Sequence, residues 1–186
     1  MSSNRLALHL PNGATLRRLA AAAALLLASA ACSIIDVAPR VDLDRNARWA
    51  VLPLANQTET PGAGQRAAAV VEGVLHSRGI ANLARPPAAL GAESLFEAAD
   101  AAAPDKALAW ARSAEVRYAV TGTVTEWRYK VGVDGEPAVG LSLQVIDLTS
   151  GRTVWSATGG KSGWSREALS AVAQKLVRDL TAPLAR

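Results

Sequence analysis

Cys32 is the only cysteine in the chain, and it closes the run LLLASAACS from Leu25 to Ser33. A thiol in that setting has acylation as its chemistry: Ser29, Ala30 and Ala31 are small enough for a peptidase cleft, and cleavage after them would leave the cysteine as the new N-terminus. Arg17 and Arg18 precede a stretch of nearly pure Ala and Leu, Leu19 to Ala28. Basic residues, a short apolar run and a small-residue cleavage site are the order of a secretory leader. The run is too short to span a bilayer, which takes about 20 apolar residues. Residues 1–31 are therefore expected to be a lipoprotein signal peptide and Cys32 the lipidation site. The other reading is an ordinary leader cut near Ala31 with Cys32 a stray thiol, since Ser29 stands where Leu is usual. Ser33, rather than Asp, comes after the cysteine, which favours the periplasmic face of the outer membrane over the inner membrane.

Other reactive side chains are sparse. His9 falls in the leader, leaving His76 as the only imidazole beyond it, at a helix end where a cation suits the helix dipole. No Ser/His/Asp constellation can be drawn around Leu75, Ser77 and Arg78. A zinc site without a second His or a free Cys would have to be all carboxylate, so no metal and no cofactor are expected. GGKS at Gly159 to Ser162 imitates a phosphate-binding loop, yet the pattern needs Gly at position 155 and Trp155 stands there. Glu126 and Glu136 form a drawable carboxylate pair, but two acids in one hairpin do not identify a hydrolase. The chain is expected not to be an enzyme.

Charge narrows the partners. The chain carries 20 Lys plus Arg against 16 Asp plus Glu, but Arg5, Arg17 and Arg18 lie in the leader, which has no acidic residue. The remainder of the chain is close to neutral, so nucleic acid is not an expected partner. About 155 residues remain, enough for a single domain. With no partner thiol, that domain must stand on packing alone.

The elements that position these residues are set by periodicity. Residues 32–47 mix Pro39 with Arg and Asp and show no period, which predicts a lipidated tether; residues 48–186 are expected to form a single periplasmic α/β domain. WAVLPLAN, Trp49 to Asn56, predicts a strand with Pro53 near its end. Val70, Val71, Val74 and Leu75 give a helix from about Gln65 to Arg78, closed by Gly79. A short strand is expected within Ile80 to Arg85, loop and partial helix over 88–104, and a helix over Asp105 to Ala114. Val116, Tyr118, Val120 and Val124 then alternate with polar positions, as do Val139, Leu141, Leu143 and Val145. A third strand runs through Thr153 to Ala157. Asp134-Gly135 and Ser150-Gly151 predict tight turns between the three, hence an antiparallel meander. Leu169, Val172, Ala173, Leu176 and Leu180 make a closing helix from Arg166. The expected fold is a two-layer α/β sandwich: an antiparallel three-strand meander plus an N-terminal strand, with flanking helices.

Aromatic use is unusual, with five Trp against one Phe. Trp127 and Tyr129 fall on odd positions of a strand whose inward set is even. Either a bulge intervenes or the pair shows on the outer face as an interface. Trp164 has two readings as well. With Ser165 as N-cap, Trp164 and Leu169 would be the two halves of a hydrophobic staple; otherwise Trp164 is an exposed indole suited to the lipid headgroup level.

Three segments, WAVLPLANQTETPGAG from Trp49, TGTVTEWRYKVGVDGEPAVGLSLQV from Thr121 and SGWSREALSAVAQKL from Ser162, together resemble the PelC family of exopolysaccharide-secretion lipoproteins. The resemblance implies a non-enzymatic ring of about a dozen subunits held under the outer membrane by lipid anchors. It implies a PelB-type partner that joins a β-barrel porin to periplasmic helical repeats, and help in exporting the cationic Pel polysaccharide during biofilm matrix formation. Asp134, with Glu136 beside it, would face the lumen and the polysaccharide, and Trp164 would contact the membrane. An alternative class is a lipoprotein that binds and activates a periplasmic cell-wall synthase, and another is a polysaccharide hydrolase using Glu126.

Overall fold

The computed structural model describes residues 33–90, 103–132 and 135–185, together with Gly13. Apart from Gly13 the expected leader lies outside the described residues, as do Cys32 and Asp134. The chain divides into two units, Met1–Ala31 and Cys32–Arg186, and the core residues among those described belong to the second.

That unit has the α/β fold expected. In chain order it contains β1 (Ser33–Val37), β2 (Trp49–Val51), β3 (Ala55–Asn56), helix α1 (Ala63–Ser77), β4 (Leu83–Ala84), helix α2 (Ala103–Ser113), β5 (Tyr118–Tyr129), β6 (Pro137–Asp147), β7 (Arg152–Ser162) and helix α3 (Leu169–Leu180). One seven-stranded sheet runs β1-β7-β6-β5-β2-β4, with β3 also on β5. The meander β5-β6-β7 is antiparallel, while β2 and β3 run parallel to β5, and β4 parallel to β2.

The sheet's alternation assigns its two faces. Trp49, Val51, Val120, Val124, Leu143 and Val145 pack beneath α1 and α3. Ala50, Leu52 and Ala119 point the other way and meet Ala107 and Ala111 of α2, so α2 adds a partial third layer over β2 and β5. Helix α1 ends as its sequence predicts. Gly79 takes φ 88°, its N–H bonds the His76 carbonyl and that of Ile80 bonds Leu75, which closes the last turn with two apolar residues in register. The N-terminal strand is split, because Pro53 has no N–H for the ladder. Val51 pairs with Val120 and Ala55 with Thr123, leaving one extra residue at the break.

The tether expected over residues 32–47 is corrected. Ser33 to Val37 form β1 along the edge of β7, from Ser33 opposite Lys161 to Val37 opposite Ala157. The β-branched Ile35 and Val37 pack on the core, as do Val41, Leu43 and Ala47 further on. The stretch lacks a sustained period because only every second residue of a short edge strand is buried. Gly159 makes the pairing possible: a Cβ there would stand 2.7 Å from the Ile34 carbonyl oxygen. Gly159→Ala should therefore speed amide hydrogen exchange across Ser33–Val37 while the β5–β6 amides keep their protection.

Candidate functional site

One end of the sheet gathers the residues that sequence singles out. Strands β5 and β7 finish there, β6 and β1 begin there, and α3 starts above it.

Strand β5 reaches that end through a β-bulge between Val124 and Glu126. The extra residue, Thr125, is accommodated by Gly140 opposite, where a Cβ would stand 2.5 Å from Thr125 Oγ1. The bulge reverses the alternation, so Trp127 turns inward and is only 3 % exposed. Trp127 is thus a core residue, which corrects its expected place at an interface. Thr60 Oγ1 donates to its carbonyl at 2.6 Å.

Tyr129 remains half exposed, but its hydroxyl is engaged: it accepts the Leu169 N–H at 3.2 Å and donates to the Glu167 carbonyl at 3.4 Å. Helix α3 has Ala168 as its N-cap, with no side chain of its own to bond the first N–H groups. Tyr129 supplies that missing oxygen from the neighbouring strand.

Trp164 is 62 % exposed. The staple reading fails because α3 starts at Leu169 rather than at Arg166, which puts Glu167 and Val172 in the staple positions. The indole is instead carried on a separate turn whose backbone is held firmly. Glu167 N–H bonds the Trp164 carbonyl at 2.9 Å, and the Glu167 carboxylate accepts the Trp164 N–H at 3.2 Å. Lys175 of α3 bonds the other carboxylate oxygen at 2.6 Å. Arg166 within the turn has φ 68°, a left-handed conformation that costs an L-residue roughly 1–2 kcal/mol. Gly163 lets the turn lie against α3, since a Cβ there would stand 2.5 Å from Val172 Cγ2.

The hairpin tip is wider than a two-residue turn. Its strands end at Tyr129 and resume at Pro137, and Lys130 N–H bonds the Glu136 carbonyl at 2.7 Å across the base of the loop. Gly135 has φ 53°, as a turn glycine should, Glu136 is exposed, and Val131 projects fully into solvent. Glu126 bonds Arg128 at 3.0 Å. GGKS is not a loop at all: Gly159 to Ser162 are strand residues, and Lys161 pairs with Asp179 of α3 at 2.8 Å. His76 is exposed, 3.3 Å from the Ile80 carbonyl. Among the described residues no three His, Cys, Asp or Glu side chains converge, and no helix is long and apolar enough to cross a membrane.

The Lys175 ammonium, assisted by the Trp164 N–H, holds the Glu167 carboxyl below its ordinary value against the opposing effect of burial. A carboxyl lowered in the folded state stabilises the turn fully above its unfolded value and loses that contribution as pH falls through the lowered one. Protection of the Trp164 amide from hydrogen exchange should therefore fall on acidification through that range, and Glu167→Gln should flatten the dependence.

No family model and no curated protein matches the sequence. Solved structures do. The PelC dodecamer from Paraburkholderia phytofirmans is 41% identical, with a TM-score of 0.70 over 83% of this chain and 98% of that one. A second PelC dodecamer from the same organism, in another crystal form, is 39% identical, with a TM-score of 0.69 over 82% of this chain and 99% of that one. The lipoprotein GNA1162 from Neisseria meningitidis shares the fold at 19% identity, with a TM-score of 0.50 over 75% of this chain and 98% of that one.

Proposed function

The chain belongs to the PelC family, and from that premise we propose that it is a non-enzymatic lipoprotein, acylated at Cys32, that assembles into a ring under the outer membrane. The ring assists export of the cationic Pel polysaccharide through a PelB-type β-barrel during biofilm matrix formation. The observation that carries this is the 41% identity to a chain of a PelC dodecamer, of which the match spans 98%.

A head-to-tail ring needs two different complementary surfaces on each subunit. With Trp127 committed to the core, the exposed ring of Tyr129 is the aromatic left to serve at a subunit contact. Glu136, exposed at the hairpin tip, suits a lumen through which an amino-sugar polymer passes, since an exposed carboxylate pays no desolvation, and the family resemblance gives Asp134 the same role. Trp164 suits the headgroup layer, where an indole keeps its apolar body in lipid and its N–H in water. Its exposure beside the start of β1 supports that role.

The lipidated protein in detergent should have the mass of a closed ring by light scattering or mass photometry, in keeping with its dodecameric relatives. A monodisperse monomer at high concentration would sink the proposal. Replacing Asp134 and Glu136 together by Asn and Gln should leave ring mass and melting temperature unchanged and reduce exported polysaccharide severalfold, measured by lectin binding to cells. Full export from that double variant would remove the lumen role of these acids.

A further inference from the structure

The end of the sheet opposite the start of β1 collects arginine. Arg48 precedes β2, Arg117 precedes β5 and Arg152 opens β7, and register sets them side by side: Trp49 pairs with Tyr118, Tyr118 with Asp147 and Asp147 with Arg152. Arg45 reaches the same end from the loop between β1 and β2 and donates to the Arg78 carbonyl at the close of α1. Arg78 in turn donates to the Arg178 carbonyl near the end of α3 at 2.7 Å. Six arginines thus stand with three aspartates, Asp44, Asp147 and Asp179, in a chain that beyond its leader is close to neutral. Arg40 with Asp42, and Arg112 with Glu115, flank the group and cancel in charge.

The three aspartates have other partners. Asp147 takes the Arg117 guanidinium on both carboxylate oxygens, at 3.1 and 3.2 Å, Asp179 takes Lys161 at 2.8 Å, and Asp44 accepts the Asn46 N–H at 2.9 Å. Arg48, Arg152 and Arg178 are exposed and, among the described residues, pair with no carboxylate. Arg45 and Arg78 are half-buried, and Nε of the first and Nη1 of the second have no hydrogen-bond partner among the described residues. Burial, with Arg178 beside it, pushes the Arg78 guanidinium below its ordinary value, Asp179 pulling the other way. The carbonyls at the ends of α1 and α3 account for the placing of Arg45 and Arg78, since cations suit helix C-termini. Nothing within the chain accounts for the outward three.

The choice of cation points to the partner. A guanidinium presents a rigid fork that grips a carboxylate through two bonds, as Arg117 does Asp147, and arginine is enriched at protein interfaces where lysine is depleted. Distance removes the bilayer as that partner. Ser33, which follows Cys32, lies in one row of register with Lys161, Val139 and Trp127, and from that row to Tyr118 is roughly 30 Å of strand at about 3.3 Å per residue. We infer that the arginine-rich end of the sheet is a docking surface for a carboxylate-rich segment of another protein. Arg48, Arg152 and Arg178 are its contacting cations, and Arg45 and Arg78 fix the floor beneath them. The inference rests on the lipid-anchored reading of Cys32, which turns this end away from the bilayer, and goes beyond it in naming a separate contact surface and the chemistry of what binds there.

The probe is a fluorescein-labelled dodecapeptide rich in Asp and Glu, beside a counterpart in which every acid is Asn or Gln. Titrated with the lipidated protein in detergent and read by anisotropy, the acidic peptide should bind saturably and release as salt is raised, while the amide peptide stays free. Arg48→Glu with Arg178→Glu should weaken binding about tenfold or more. Arg66→Glu with Lys130→Glu makes the same change in net charge on exposed residues at the other end of the sheet, and should leave binding within about twofold. Arg48→Gln with Arg152→Gln, which introduces no acid beside α3, repeats the test should the first pair melt low. Equal loss in the 48/178 and 66/130 pairs reduces the effect to net charge and overturns the inference. So does undiminished binding by Arg48→Gln with Arg152→Gln, or an acidic peptide that does not bind. A ring that comes apart in the 48/178 pair and stays whole in the 66/130 pair also overturns it, assigning these arginines to contact between subunits. Mass photometry on the same samples separates the two failures: an unaltered protein that is monomeric defeats the ring, whereas an intact ring indifferent to the peptide defeats only the docking surface.

Discussion

The close approach of β1 to β7 is the contact on which the arrangement of this molecule depends. Ladder hydrogen bonds require strands to approach within about 4.8 Å, and at Gly159 the Ile34 carbonyl takes the space a side chain would occupy. Gly159 and Gly160 leave β7 bare just where β1 crosses it, and the chain turns that gap into a paired edge. The long meander is then not left with a free β7 edge, which would be a template for unwanted pairing. The first residues after Cys32 also join the sheet, so the direction in which the chain enters the domain is set by backbone hydrogen bonds, not by a tether.

A second set of constraints acts at the same end. The bulge at Thr125 sends Trp127 inward, where its buried indole helps close the core beneath α1 and α3. Two residues on, Tyr129 reaches the start of α3 and bonds the N–H that Ala168 leaves unsatisfied. Glu167 completes the join, its carboxylate shared between Lys175 and the Trp164 N–H. Exposed ion pairs contribute little to global stability, typically below about 1 kcal/mol. Here the consequence is positional, because the Trp164 turn is held from both sides while its indole is left in solvent.

Much of this is legible from residue order. The meander, the α1 stripe, the left-handed Gly79 and the buried face of α3 are encoded in period and composition, since each lies in a long element whose one face is covered. The departures have a common cause. β1 is five residues long with one face buried, too short for alternation to register, and what decides its pairing is a glycine more than a hundred positions away. The identity of Trp127 as core turns on one inserted residue, visible from sequence only as a parity conflict between Val124 and Trp127. Helix α3 starts three residues later than its sequence suggests because Ala168, not Ser165, is its N-cap, and the first helical N–H, that of Leu169, is bonded by Tyr129 on another strand. Local signals describe local structure well and are silent where the partner is distant.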